Sequence, residues 1–189
     1  MKRPKTFYHL LLAVVFLTTS ATHCYEYKEV PAILSDMKLY HWNNAGEKPV
    51  AVTDGKVSKE TYLLEIRLLA RGIDGTTDSY YGYEYLLEDP IRQVQIFALW
   101  LPFEGNVDTQ PEETDVTASM FDYPYTISSD QLEENTDQGE PIKLISQGTA
   151  KIYKALLTPL PAGDYQFRVL LTAESGATME QLSDTINLY

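Results

Sequence analysis

The side chains that most often move protons, hold zinc or attack carbonyl carbons are scarce in this sequence. It contains three histidines and one cysteine in 189 residues, and of these only Cys24 and His41 lie beyond residue 23. Cysteine-histidine zinc sites, thiol nucleophiles and a serine-histidine-acid triad of independently placed residues therefore lack their raw material. His41 falls on one face of a candidate strand with no second histidine to work with, and is read as structural. Acids are plentiful instead. No basic residue occurs between Arg92 and Lys143, while Glu104, Asp108, Glu112, Glu113, Asp115, Asp122, Asp130, Glu133, Glu134, Asp137 and Glu140 all fall there. Such a run offers oxygen ligands to calcium, but its spacing matches no EF-hand loop, so it reads as a solvated acidic face and no metal or other cofactor is expected. A glycosidase-like pair would need two acids fixed across a cleft, which nothing in the run provides. Rings are the remaining candidates. Tyr80, Tyr81, Tyr83 and Tyr85 stand close together beside Glu84, and aromatic faces next to carboxylates can stack on sugars and accept from their hydroxyls. The plainer reading of the same residues is a strand rich in a good strand former.

Cys24 has a different chemistry, set by what precedes it. Lys2, Arg3 and Lys5 form a basic front, Leu10 to Leu17 an apolar run too short to span a bilayer, and Thr18 to His23 a polar approach: the layout of a secretory signal. Two processing routes fit. Cleavage after Ala21, with Thr19 and Ala21 as the small residues, would release a soluble protein carrying one unpaired thiol. The block from Ser20 to Cys24 resembles a bacterial lipobox, with Ala21 and His23 in the places usually held by Leu and by a small residue. A single cysteine at that position, and nowhere else, is expected to be an acylation site and the first mature residue. Several acyl chains, at roughly 0.8 kcal/mol per buried methylene, make a durable membrane anchor. The chain from Cys24 onward then keeps twelve basic against twenty-seven acidic residues, a formal charge of −15. Nucleic acid is not an expected partner of such a surface.

These groups need elements to hold them. The expected organisation is a signal peptide over residues 1–23, a lipidated tether over 24–35 and one domain over 36–189, a length that suits a single core. Met37 to Trp42 alternates, with Met37, Leu39 and His41 on one side and Lys38, Tyr40 and Trp42 on the other, and Asn43-Asn44-Ala45-Gly46 stops it. Val50, Val52 and Val57 flank Asp54-Gly55, a two-residue hairpin signal. Tyr62 to Arg71 has an unbroken apolar face, Tyr62, Leu64, Ile66, Leu68 and Ala70, with Glu65 and Arg67 on the other side. Pro90 introduces Ile91 to Leu101, apolar on both faces in its second half and so expected to be central. Thr117 to Tyr125 reads as a short irregular or helical piece between acidic loops. Ile142 to Leu157 gives one or two strands, Tyr165, Phe167, Val169 and Leu171 share one face of another, and Leu182 to Leu188 is the last.

The start Gly163-Asp164-Tyr165 resembles the corner of immunoglobulin-like sandwiches, where a tyrosine hydroxyl ties the incoming loop to the backbone. The fold class expected is all-β, an antiparallel immunoglobulin-like sandwich of about seven strands with one short helix at most. With the lipobox-like start, the Asn-rich turn, the Tyr62 strand and the Pro90-Ile91 strand before an acidic loop, the chain is similar to cell-envelope lipoproteins of the Bacteroidetes type that carry a β-sandwich domain. That resemblance implies location and fold, an outer membrane anchorage by lipid, and no catalytic residues. Three functional classes follow. A non-catalytic binding or adhesion module for a glycan or protein ligand ranks first, and a structural or accessory subunit of a pilus or nutrient-uptake assembly second. A carboxylate-based glycan hydrolase ranks third.

Overall fold

The computed structural model describes residues 28–75, 83–102, 112–123, 141–146 and 148–189. In chain order the strands are β1 (Lys28–Asn43), β2 (Val50–Ala51), β3 (Lys56–Val57), β4 (Tyr62–Gly72), β5 (Tyr83–Leu101), β6 (Glu112–Asp115) and β7 (Met120–Asp122). They continue as β8 (Ile142–Ser146), β9 (Thr149–Leu156), β10 (Gly163–Ala173), β11 (Thr178–Leu182) and β12 (Ile186–Leu188). The only helical piece among the described residues is a 3-10 turn, Thr117–Ser119, ahead of β7. All twelve strands join one open, mixed sheet, ordered β3-β12-β10-β5-β1-β4-β9-β7, with β11 beside β10, β2 beside β1, and β6 and β8 beside β5. The chain is therefore all-β.

Two long strands set the shape because each changes partner along its length. Residues 28–32 of β1 run parallel to residues 83–87 of β5, and from Ala32 onward β1 runs antiparallel to β4 with a bulge between Leu34 and Asp36. In β5, residues 91–101 pair with β10 instead. Neighbouring strands stand about 4.8 Å apart, so the three pairings that separate β4 from β10 would span roughly 14 Å in a flat sheet. Yet the rings of Tyr62 on β4 and Phe167 on β10 stack at 5.0 Å. The sheet curls until these two strands face one another, and the core lies between them. Leu64, Ile66 and Leu68 from β4 and Tyr165, Phe167, Val169 and Leu171 from β10 are all buried there, the period-two faces that the sequence displays. Each fully enclosed aliphatic or aromatic side chain contributes about 1.5–3 kcal/mol relative to exposure.

Several expectations change at this level. Residues 28–35 are no tether: they form the first half of β1, and Ala32 is fully buried. The Asp54-Gly55 turn exists, with Gly55 at φ 69° and the Asp54 carboxylate accepting from the Lys56 amide, but no hairpin follows. β2 pairs with β1 while β3 pairs in parallel with β12. Two-residue strands gain little from each other, and burying Val57 against the far end of the chain wins. Pro90 does not open a strand but sits inside β5. It occupies the irregular stretch between Leu86 and Ile91, where no ladder amide is needed and its carbonyl accepts from the Glu174 amide at 2.9 Å. Twelve strands replace about seven because seven of them, β2, β3, β6, β7, β8, β11 and β12, have five residues or fewer.

Candidate functional site

Of the residues singled out from sequence, Cys24, Tyr80 and Tyr81 lie outside the described residues, as does the side chain of Tyr83, whose backbone opens β5. Tyr85 is 1% exposed, so its ring belongs to the core and is not a contact for any ligand. It is paired with Val30 on one side and Ile145 on the other, which places it between two neighbouring strands. Tyr165 is buried and its hydroxyl donates to the Pro161 carbonyl at 2.9 Å, closing the turn that leads into β10. His41 joins two parts of the chain. Its Nε2 faces the Asp184 carbonyl at 3.0 Å and its Nδ1 the Tyr62 hydroxyl at 2.9 Å. A carbonyl can only accept, so Nε2 carries the proton and Nδ1 accepts from Tyr62. Burial holds the imidazole below its ordinary pKa, against the opposing pull of the Asp184 carbonyl and carboxylate. Burial likewise keeps the Tyr62 phenol far above its own.

The rings and acid that do come together sit elsewhere, on the outward face of β1, β4, β9 and β7. Residues directly opposed in antiparallel pairs project to the same side. One row on this face is Trp42, Leu63, Ala155 and Phe121, the next is Tyr40, Glu65 and Tyr153, and a third is Lys38, Arg67 and Lys151. Just past β7, the Tyr123 amide donates to the Tyr153 carbonyl at 2.8 Å while its hydroxyl donates to Asn44 Oδ1 at 3.2 Å. The Tyr123 side chain thus reaches from the β9 side to the end of β1, across these rows.

On the same face Glu65 is 0% exposed and Tyr153 4%. Glu65 Oε1 accepts from both Arg67 Nε at 2.7 Å and Arg67 Nη2 at 2.6 Å, and the guanidinium lies 4.3 Å over the Tyr40 ring. The other carboxylate oxygen, Oε2, has no hydrogen-bond partner, and neither do the Trp42 indole N–H and the Tyr153 hydroxyl, though all three are enclosed. The Trp42 and Tyr153 rings meet edge to face at 6.3 Å. Burial first, and then the Glu65 charge, raise the Tyr153 phenol well above its ordinary pKa, with Arg67 pulling the other way. The Glu65 carboxylate thus stands next to the Tyr153 hydroxyl and holds it protonated, as a donor. An uncompensated buried polar atom costs about 1–3 kcal/mol. Three of them in one cluster, on rigid strands, is a concentration that a folded core normally avoids.

This cluster is not among the sites that the sequence pattern marks. Tyr40 and Trp42 stand two residues apart on the side of β1 away from the core, opposite Glu65 and Leu63 on β4. Two large rings alternating on a supposed solvent face were the available signal. What no local pattern carries is the hydrogen bond from Tyr123 to Asn44, since the two are 79 residues apart.

The class defined by these features is an all-β protein built on one curled mixed sheet that carries an aromatic and acidic cluster on an outward face. No helix among the described residues is long and apolar enough to cross a membrane. Residues 34–184 match the family Domain of unknown function (DUF5034), and the chain belongs to that family. The matched span takes in every residue of the Tyr40, Trp42, Glu65, Tyr153 and Tyr123 cluster. No match is found among curated proteins.

Proposed function

We propose that this protein is a lipid-anchored component of the cell envelope, tethered to the outer membrane through Cys24, that acts as a non-catalytic binding module on an immunoglobulin-like sandwich. The observation that carries the binding reading is the enclosed trio of unpartnered atoms, Trp42 Nε1, Glu65 Oε2 and Tyr153 Oη, held on three rigid strands. Glu65 is the sole carboxylate among the described residues of those three rows, and it is engaged by Arg67. That arrangement suits recognition better than the two-carboxylate chemistry of a glycosidase. The stacking of Tyr62 on Phe167 and the Tyr165 tie support the sandwich reading of the curled sheet. The accessory-subunit reading draws less support, because the sheet ends in β3 and β7, strands of two and three residues that offer a short edge to a partner strand.

The anchor is tested by Cys24→Ser. Wild-type protein should take up labelled palmitate and fractionate with membranes, and the variant should do neither. Unchanged labelling and fractionation in Cys24→Ser would remove the lipoprotein reading. Turnover of a glycan or peptide at an enzymatic rate, abolished by replacing one carboxylate, would remove the non-catalytic one.

A further inference from the structure

We infer that the Trp42–Glu65–Tyr153 cluster is the binding site of the module and that its ligand is a neutral, hydroxyl-rich ring of the pyranose class. The inference rests on the binding reading above and names where and what the module binds. Three features fix the ligand chemistry. The unpartnered atoms are two donors, the Trp42 N–H and the Tyr153 O–H, and one acceptor, Glu65 Oε2. A hydroxyl group can accept from the first two and donate to the third, so vicinal hydroxyls on one small ring satisfy all of them. The Glu65 charge is matched by Arg67 through two contacts at 2.6 and 2.7 Å, so a cationic ligand has no net charge to neutralise, and Oε2 repels an anion. Ring faces supply the rest. Trp42 is half-buried and Tyr40 is 36% exposed, which puts two aromatic side chains at the described rim of the site. The C–H faces of a pyranose stack on such rings while its edge hydroxyls reach inward.

The same geometry makes the test unusually clean. A hydroxyl or indole N–H that is unpartnered in the free protein contributes no hydrogen bond to the fold, so removing it leaves stability unchanged or raised. Binding-site residues with partners in the free protein behave in the opposite way. Tyr153→Phe, which removes only the oxygen, therefore separates a ligand-binding role from a structural one, while Trp42→Phe, which also removes ring area packed on Tyr153, is read for binding alone.

The experiment uses the full mature chain against a panel of neutral hexopyranosides and N-acetylhexosaminides, as monosaccharides and short oligosaccharides, with titration calorimetry on the sugars retained and urea unfolding of every variant. The expected result is a sugar whose affinity falls about three- to tenfold in Tyr153→Phe, the loss of one neutral hydrogen bond. It should fall further in Glu65→Gln, where a charged acceptor is lost, while the unfolding midpoint of Tyr153→Phe does not drop. A sugar bound equally well by all three variants would place its site elsewhere, overturning this inference while leaving the binding module intact. A protein bound at this cluster in place of any sugar would overturn the ligand class. A Tyr153→Phe midpoint below that of wild type, with no sugar bound, would show that the hydroxyl is already partnered by the adjacent Glu65 carboxylate in the free protein and that the cluster is structural.

Discussion

Replacing Tyr165 with phenylalanine removes a single oxygen from a ring that is 3% exposed and keeps its packing against Phe167, whose centroid lies 6.5 Å away. What is lost is the 2.9 Å hydrogen bond to the Pro161 carbonyl. Burial and the Glu112 charge raise the Tyr165 phenol above its ordinary pKa, so the hydroxyl is protonated and donating throughout the pH range of the assay. A typical intramolecular hydrogen bond has a net value of about 0.5–1.5 kcal/mol, and stranding a buried acceptor adds to that. Pro161 is exposed, so water takes over its carbonyl and the added penalty disappears. The expected loss is about 1 kcal/mol, or roughly 2–4 °C in the thermal midpoint for a chain of this size. A second change calibrates the first. A Cβ on Gly163 would come within 2.7 Å of Trp100 Nε1, and Trp100 is directly paired with Tyr165. Gly163→Ala must push that ring aside and should cost about 1–3 kcal/mol as overpacking. Urea unfolding followed by far-UV circular dichroism measures both, with the slope of the transition unchanged if only the folded state is affected. An unaltered midpoint in Tyr165→Phe would mean that the hydroxyl adds nothing, and a loss beyond roughly 3 kcal/mol would mean that it anchors more than one turn. Either result would refute the reasoning.

Two further outcomes are expected. His41 is held neutral with its pKa below 6.5, so the unfolded chain binds more protons than the folded one as the solution is acidified. Its contribution to stability is complete above that value and is lost as pH falls through the folded-state pKa. The urea midpoint should therefore decline between about pH 7 and 5 more steeply in wild type than in His41→Gln. Identical pH slopes in the two proteins would dismiss the histidine as the cause. Leu188 on β12 is fully buried, so Leu188→Ala should lower stability by about 2–5 kcal/mol, and a loss below 1 kcal/mol would show that β12 is not seated in the core.

What could be read from the sequence was the inward face of each long strand. Tyr62, Leu64, Ile66, Leu68 and Ala70, and likewise Tyr165, Phe167, Val169 and Leu171, alternate strictly and all end in the core. Alternation reports which side of a strand is buried, but not which strand lies beside it. Val50, Val52 and Val57 signalled a hairpin whose halves went to β1 and β12, because pairing partners are chosen by burial over the whole sheet. Pro90 signalled a strand start because its missing amide forbids an ordinary ladder position, and a bulge within β5 meets the same requirement. The tyrosines of residues 80–85 suit either a contact surface or a strand, and Tyr85 is buried within β5. The Glu65 cluster was hidden for a related reason. Glu65 and Leu63 lie on the side of β4 that a two-sided pattern assigns to solvent, yet both are 0% exposed.

The parallel pairing of β3 with β12 has a temporal consequence. β12 is the last of the twelve strands to be synthesised, and its two partners, β3 and the start of β10, are made earlier and must wait for it. While residues 186–188 are still inside the ribosome, the Gly163–Tyr165 end of β10 has an unpaired edge and Val57 has no neighbouring strand to bury it. Closure of so distant a pair is slow, since the loop entropy is lost before any contact compensates for it. A nascent or truncated chain lacking those three residues is thus the species most prone to borrow a strand from another copy, and a protein of this design benefits from being kept unfolded until it is complete.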